Sequence, residues 1–244
     1  MEQRANQLKA KRKELQRQCR HKAGIRAMRE SVSGFLAQDG LTLEDRIEAD
    51  IQLAKFLDYM GEMEESLAIV EKHVAYSKEE PKTYFRAKVR FQYLLYLKRS
   101  LIFHHCKDEC ELFIRDYSDL PDVPCWKYLY RANIIIAKLF QMLNSLERSS
   151  EYMHRATEIV DKNETDKEGK HHGIVLRSYG YQYWKFFKKA KADEYLNKAL
   201  AIFEKIKSPY LVSTIYKEKG DMHKELQEAE QAQNCYEQCI RLRR

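Results

Sequence analysis

Glycine and proline are scarce: the 244 residues hold 8 of the first and 4 of the second. An all-β domain needs many tight turns, so these numbers argue against one. No stretch approaches the roughly 20 apolar residues of a membrane helix. The richest run, Ile134-Ile135-Ile136-Ala137, is flanked at once by Asn133 and Lys138. Six cysteines are too sparse for a disulfide framework in a chain of this size. The basic first 30 residues have no apolar segment behind them and do not read as a signal peptide. Without secretion, the acceptor triplet Asn163-Glu164-Thr165 carries nothing. No G-x-S-x-G elbow or G-x4-G-K-[ST] loop occurs, and glycines spread singly cannot cradle phosphates. The carboxylate pairs Glu64-Glu65 and Glu79-Glu80 sit beside turns and read as solvated helix ends. No constellation supports an enzyme, and none asks for a cofactor. The expected location is cytoplasmic, without membrane attachment.

What is present is a chain 44% apolar with 28 aromatic side chains, enough to bury a core in one domain or a tight pair. Together with the scarcity of turn residues, this points to an all-α protein. Charge is unevenly placed. Residues 1–30 carry ten basic side chains against Glu2, Glu14 and Glu30, an excess equal to the whole formal net charge of +7. Any simple electrostatic attraction to an acidic surface or a nucleic acid therefore resides in the first helix.

Punctuation recurs at intervals near 40 residues. Pro81 and Pro121 stand 40 apart, Pro209 follows after 88, and the polar stretch 161–170 falls where the missing boundary should be. Upstream, Thr42-Leu43-Glu44-Asp45 has capping-box spacing and should start a helix. The expected organisation is a basic helical segment over 1–40, then five helix pairs over 41–80, 81–120, 121–166, 167–207 and 208–244. Each pair repeats small and large residues at fixed offsets. Ala54 and Leu57 precede Ser66, Val70 and His73, and Leu94 and Leu97 precede Cys106, Cys110 and Phe113. Ala137 and Phe140 precede Ser149, Met153 and Ala156. Leu176, Tyr179, Gly180 and Tyr183 precede Ala192, Leu196 and Ala199, and Tyr216 and Gly220 precede Ala232, Tyr236 and Cys239. Small residues at such offsets let helices cross closely.

These offsets resemble the tetratricopeptide repeat (TPR). Tyr179-Gly180-x2-Tyr183 followed by Ala192, Leu196 and Ala199 matches its pattern of small and aromatic residues best. Units of 40 or more resemble the divergent repeats of bacterial peptide-sensing regulators and of vesicle-fusion adaptor proteins. The resemblance implies a right-handed superhelical solenoid of antiparallel helix pairs, in which the first helix of each pair lines a concave groove. Arg177, Tyr181 and Trp184 would face that groove, with Ile134, Lys138 and Gln141 beside them and Lys55 and Lys217 at matching offsets. Tyr179, Tyr183 and Phe187 follow another stripe, suited to the core. The alternative for Trp184 is packing against a neighbouring repeat.

Two clusters invite a metal reading. Cys106 and Cys110 with His105 could share one ion, but both thiols fall at packing positions, and buried cysteine as a small apolar side chain is the preferred account. His171-His172 reads as a solvated loop. Lys9, Lys11, Arg12, Lys13, Arg17 and Arg20 are the candidate nucleic-acid contacts. Their helix is a docking cap, a nucleic-acid arm or a frayed tail, and a largely solvated helix is favoured because no aromatic is interleaved for base stacking. If the fifth pair ends the array uncapped, its Tyr236 and Ile240 face becomes a homodimer contact. The expected function is a non-enzymatic scaffold binding a protein or peptide, one with acidic groups suiting the Lys and Arg of the groove. The alternative is a nucleic-acid-associated regulator that uses the basic first helix.

Overall fold

The structure, a computed structural model, describes residues 2–18, 21–99, 103–120 and 124–243, except for the side chains of residues 2–5, 17–18 and 21–22. Arg20 and the 121 boundary therefore lie outside the described residues, as does the side chain of Arg17. The described residues form thirteen α-helices and no strand. They are α1 (Glu2–Gln18), α2 (His21–Leu36), α3 (Leu43–Met60), α4 (Met63–Glu71), α5 (Val74–Lys78), α6 (Tyr84–Arg99), α7 (Phe103–Tyr117), α8 (Trp126–Met142), α9 (Leu146–Asn163), α10 (Lys170–Lys185), α11 (Lys189–Lys205), α12 (Pro209–Glu225) and α13 (Ala229–Arg241). Two compact units divide the chain, Met1–Tyr128 and Leu129–Arg244.

Local chemistry sets the helix ends. The capping box at α3 is complete: Asp45 N–H donates to Thr42 Oγ1 and Thr42 N–H to the Asp45 carboxylate, both at 3.1 Å. At α12, Pro209 occupies the first turn, where its missing N–H costs nothing. Five helices end in one motif. The residues Gly61, Asn144, Phe187, Lys207 and Gln227 take φ of 92°, 55°, 59°, 51° and 62°. In each case the next N–H reaches back five residues, as in Lys188 N–H to Tyr183 O at 2.9 Å and Ser145 N–H to Phe140 O at 2.8 Å. This is the Schellman closure, which satisfies carbonyls the helix leaves open. Four of the five positions lack glycine, so the sequence does not announce them.

The helix pairs cross at equivalent places. Ser66, Cys106, Ser149, Ala192 and Ala232 are all 5% exposed or less. Twelve residues before each stand Ala54, Leu94, Ala137, Gly180 and Gly220. Ser66 Oγ donates to Ala54 O at 2.8 Å, and Cys106 Sγ lies 3.9 Å from Leu94 O. A Cβ added at Gly180 would come within 2.7 Å of Leu196, and one at Gly220 within 2.7 Å of Tyr236. Small side chains are needed here because the backbones approach closely.

In the first unit, α1 is not a solvated helix. Leu8 and Leu15, each 4% exposed, join Met28, Val32 and Phe35 of α2 and Ala49 and Phe56 of α3 in one core. Burying two leucines contributes on the order of 3–5 kcal/mol before ordering costs, enough to hold a basic helix against a face that is itself partly basic. The 1–40 segment is two packed helices, with Gly24 inside the second. In the second unit, Leu196, Ala199, Ile202 and Phe203 pack with Leu211, Val212, Ile215 and Met222. Phe187 is 97% exposed, contrary to the expected core stripe. Helix α10 stops at Lys185, and the left-handed turn swings the ring off the stripe occupied by Tyr179 and Tyr183, which stack with Tyr195.

Candidate functional site

Arg177, Tyr181 and Trp184 lie four and three residues apart and share one face of α10. Each is half-buried. The Tyr181 ring has the Lys138 ammonium 4.9 Å from its centroid and that of Lys185 at 5.6 Å. Burial raises the Tyr181 hydroxyl pKa, while nearby Lys185 pulls it the other way. Trp184 Nε1 donates to Glu225 Oε2 at 2.9 Å, and Lys185 Nζ reaches the other oxygen at 3.0 Å. Burial raises the Glu225 carboxyl, but those two hydrogen bonds outweigh it and hold its pKa below the ordinary value. Arg177 Nη1 donates to Thr214 Oγ1 at 2.9 Å, while its Nε stands 3.5 Å from Glu218. That Nε and Glu218 Oε2 are buried without a hydrogen-bond partner among the described residues.

The sequence therefore brings together Lys138, Arg177, Tyr181 and Trp184, with Thr214, Glu218 and Glu225 of α12 as counterparts that the periodicity did not select. A cavity of about 280 Å³ opens beside them, walled by Trp184, Lys185, Phe187, Lys189, Glu225 and Leu226. The other selected residues go elsewhere. Gln141 turns into its own pair, donating from Nε2 to Ser149 Oγ at 3.1 Å while 7% exposed. Ile134 is 8% exposed. Lys217 is exposed and pairs with Asp221 on its own helix at 2.7 Å. Lys55 belongs to the first unit, on α3.

His171 and His172 open α10 instead of forming a loop. Glu164 accepts the backbone N–H of both at 3.2 Å, and its oxygens meet His171 Nδ1 at 2.7 Å and His172 Nδ1 at 3.0 Å. His172 Nε2 meets Asp161 at 2.8 Å. A carboxylate thus caps the positive end of α10. Cys106 and Cys110 are fully buried at the α6–α7 crossing, and His105 is engaged by Tyr93 Oη at 2.9 Å. Among the described residues no group of His, Cys, Asp and Glu is arranged to hold a metal ion, and no helix is long and apolar enough to cross a membrane.

No protein-family model matches the sequence, and no curated protein is significantly similar to it. Solved structures are similar in fold. The nearly identical TPR-like repeats of a kinesin light chain from Podosopora anserina give a TM-score of 0.60 at 14% identity, over 85% of this chain and 99% of that one. Bacillus thuringiensis PlcR, solved with the peptide PapR7 and DNA, gives 0.63 at 14% identity, over 92% and 80%. A Rap protein complexed with Competence and Sporulation Factor gives 0.66 at 10% identity, over 90% and 69%. The fold is TPR-like.

Within the TPR-like fold, Ser66, Cys106, Ser149, Ala192 and Ala232 are the small crossing residues, which places Cys106 and Cys110 in packing. The basic first helix is committed inward as well as outward. Arg12 Nε donates to Gln52 Oε1 at 2.9 Å, and Lys11 pairs with Glu14 at 3.1 Å. Lys9 and Lys13 are exposed. At the TPR-like C-terminal pair, Tyr236 is spent internally. Its ring covers Gly220 and its hydroxyl donates to Asp221 at 2.9 Å, leaving Ile240 of the expected dimer face 53% exposed.

Proposed function

We propose that this chain is a non-enzymatic adaptor that binds a peptide or extended protein segment along α8, α10 and α12. The observation that carries the reading is the α10 face, where Arg177, Tyr181 and Trp184 stand half-exposed beside an apolar-walled cavity. Arginine, tyrosine and tryptophan are the side chains that most often anchor binding surfaces. An extended peptide would lay a side chain into the cavity against Trp184, and present an acidic group to Lys138, Lys185 or Lys189. The peptide PapR7 held by PlcR supports the class of ligand.

The test is panning of a random peptide library against the intact chain, followed by calorimetry of the enriched peptides. Tyr181→Ala and Arg177→Ala should each weaken binding by about tenfold or more, the ~1.4 kcal/mol scale of an anchor. Helical signal should be unchanged. Failure to enrich any peptide, or equal binding by both variants, overturns the reading.

A further inference from the structure

The first unit holds a cluster of cations that its own carboxylates do not neutralise. On α3, Glu48, Gln52 and Lys55 stand four and three residues apart and share one face. Glu48 is the carboxylate of that face, 6% exposed, and both oxygens are used: Oε1 accepts Gln52 Nε2 at 2.7 Å and Oε2 accepts Lys88 Nζ of α6 at 2.5 Å. Gln52 in turn accepts Arg12 Nε of α1 at 2.9 Å. Lys55 comes last in this row and makes no hydrogen bond or ion pair among the described residues. The charges it senses are Glu48, Lys88, Arg12 and Lys9, four neighbours of which three repel it.

Burial presses the Lys55 amine down to about 8; Glu48 opposes this, and Lys88, Arg12 and Lys9 add smaller downward pushes. Docking α1 brings Lys9 and Arg12 within electrostatic reach of Lys55, a repulsion that the burial of Leu8 and Leu15 offsets. A bound anion would reverse the sign of that term. The donors come from three different helices, α1, α3 and α6. A tetrahedral oxyanion offers oxygens in several directions, whereas a carboxylate offers two in one plane. We propose that the face shared by α1, α3 and α6 is a binding site for a compact phosphate dianion, with Lys55 as its direct ligand and Arg12, Lys9 and Lys88 around it. Binding there also clamps α1 onto the array. The site lies in the first unit and does not depend on the α10 face.

The test is competitive acetylation of the full chain at pH 8, read at Lys55 by mass spectrometry. Inorganic phosphate and a nucleoside 5′-monophosphate are each compared with chloride at equal ionic strength. Either phosphate should slow labelling of Lys55 about fivefold, as expected for a rise of about one pKa unit from a half-protonated amine, with little change at exposed lysines such as Lys217. A response to inorganic phosphate identifies the free ion as ligand, and a response to the nucleotide alone identifies a phosphate ester. In parallel, phosphate should slow tryptic cleavage between Lys9 and Lys13 in the wild type and not in Lys55→Met. Labelling that matches the chloride control, or equal protection of α1 in Lys55→Met, overturns the proposal. Both outcomes are read independently of peptide binding.

Discussion

Gly180 faces Leu196 across the α10–α11 crossing, so closely that an added Cβ would fall 2.7 Å from Leu196 Cγ and 3.2 Å from the Ala192 carbonyl. A leucine tip can shift, but a backbone carbonyl cannot. Gly180→Ala gains roughly 1 kcal/mol of helix propensity and incurs about 1–3 kcal/mol of overpacking, so it should lower the urea midpoint. Gly34, inside α2, has nothing within 4 Å of the same position. Gly34→Ala should raise stability by up to ~1 kcal/mol. Equal effects from the two substitutions would show that crossing distance is not what selects Gly180.

Phe187 combines a left-handed backbone with a ring that touches almost nothing. Its intrinsic cost is about 1 kcal/mol relative to glycine. Phe187→Gly should therefore stabilise the chain by roughly that amount in thermal melts, while weakening any peptide seated beside Trp184. A destabilised variant would mean that the ring packs in solution.

The indole of Trp184 has a partner that is also held by Lys185. Trp184→Phe removes the hydrogen bond to Glu225 and keeps much of the apolar contact with the α11–α12 core. Because Glu225 is solvent-facing, the loss should stay below about 1 kcal/mol. Urea titration by far-UV circular dichroism checks this, and a loss several times larger would make Trp184 a structural residue first.

Two leucines fasten α1. Leu15→Ala should cost about 2–5 kcal/mol of docking and open Lys9, Lys11 and Lys13 to trypsin, whereas Lys13→Gln should leave the cleavage pattern of the remaining sites unchanged. Equal digestion of Leu15→Ala and wild type would return α1 to the status of a tail.

Glu164 ties the end of α9 to the start of α10. Burial raises its carboxyl, but hydrogen bonds and charge from His171, and then contacts from His172, outweigh that and hold its pKa below the ordinary value. A carboxylate with a depressed folded pKa stabilises fully above its unfolded value, about 4.3. That stability is lost as pH falls through the folded value. Stability should therefore decline on acidification below about pH 4.5, and Glu164→Gln should flatten that limb while lowering stability near pH 7. Parallel curves for both proteins would assign the acid limb to other carboxylates.

Much of the fold was legible because it is written in local terms. Thr42 and Asp45 are three residues apart and can satisfy each other without knowing the rest of the chain. The crossing residues repeat near every 40 positions because each pair must solve the same packing problem. Even the second pair, Leu94 with Cys106, obeys that spacing. Arg177, Tyr181 and Trp184 were placed on one face by helical periodicity alone. Periodicity cannot tell how a polar side chain is satisfied, because its partners sit on other helices, 8 residues away for Gln141, 37 for Arg177 and 41 for Trp184. So Gln141 finds Ser149 and leaves the face, Arg177 finds Thr214, and Trp184 finds Glu225. Left-handed turns at Phe187, Lys207 and Gln227 escaped notice for a related reason: the Schellman closure is imposed by backbone hydrogen bonding, whatever side chain stands there. The sequence by itself determined the helices, the capped start of α3 and the crossing points, through short-range hydrogen bonding and side-chain size. Only the tertiary structure decided which charges were neutralised, docking α1 through Leu8 and Leu15 and leaving Lys55 among cations without a carboxylate of its own.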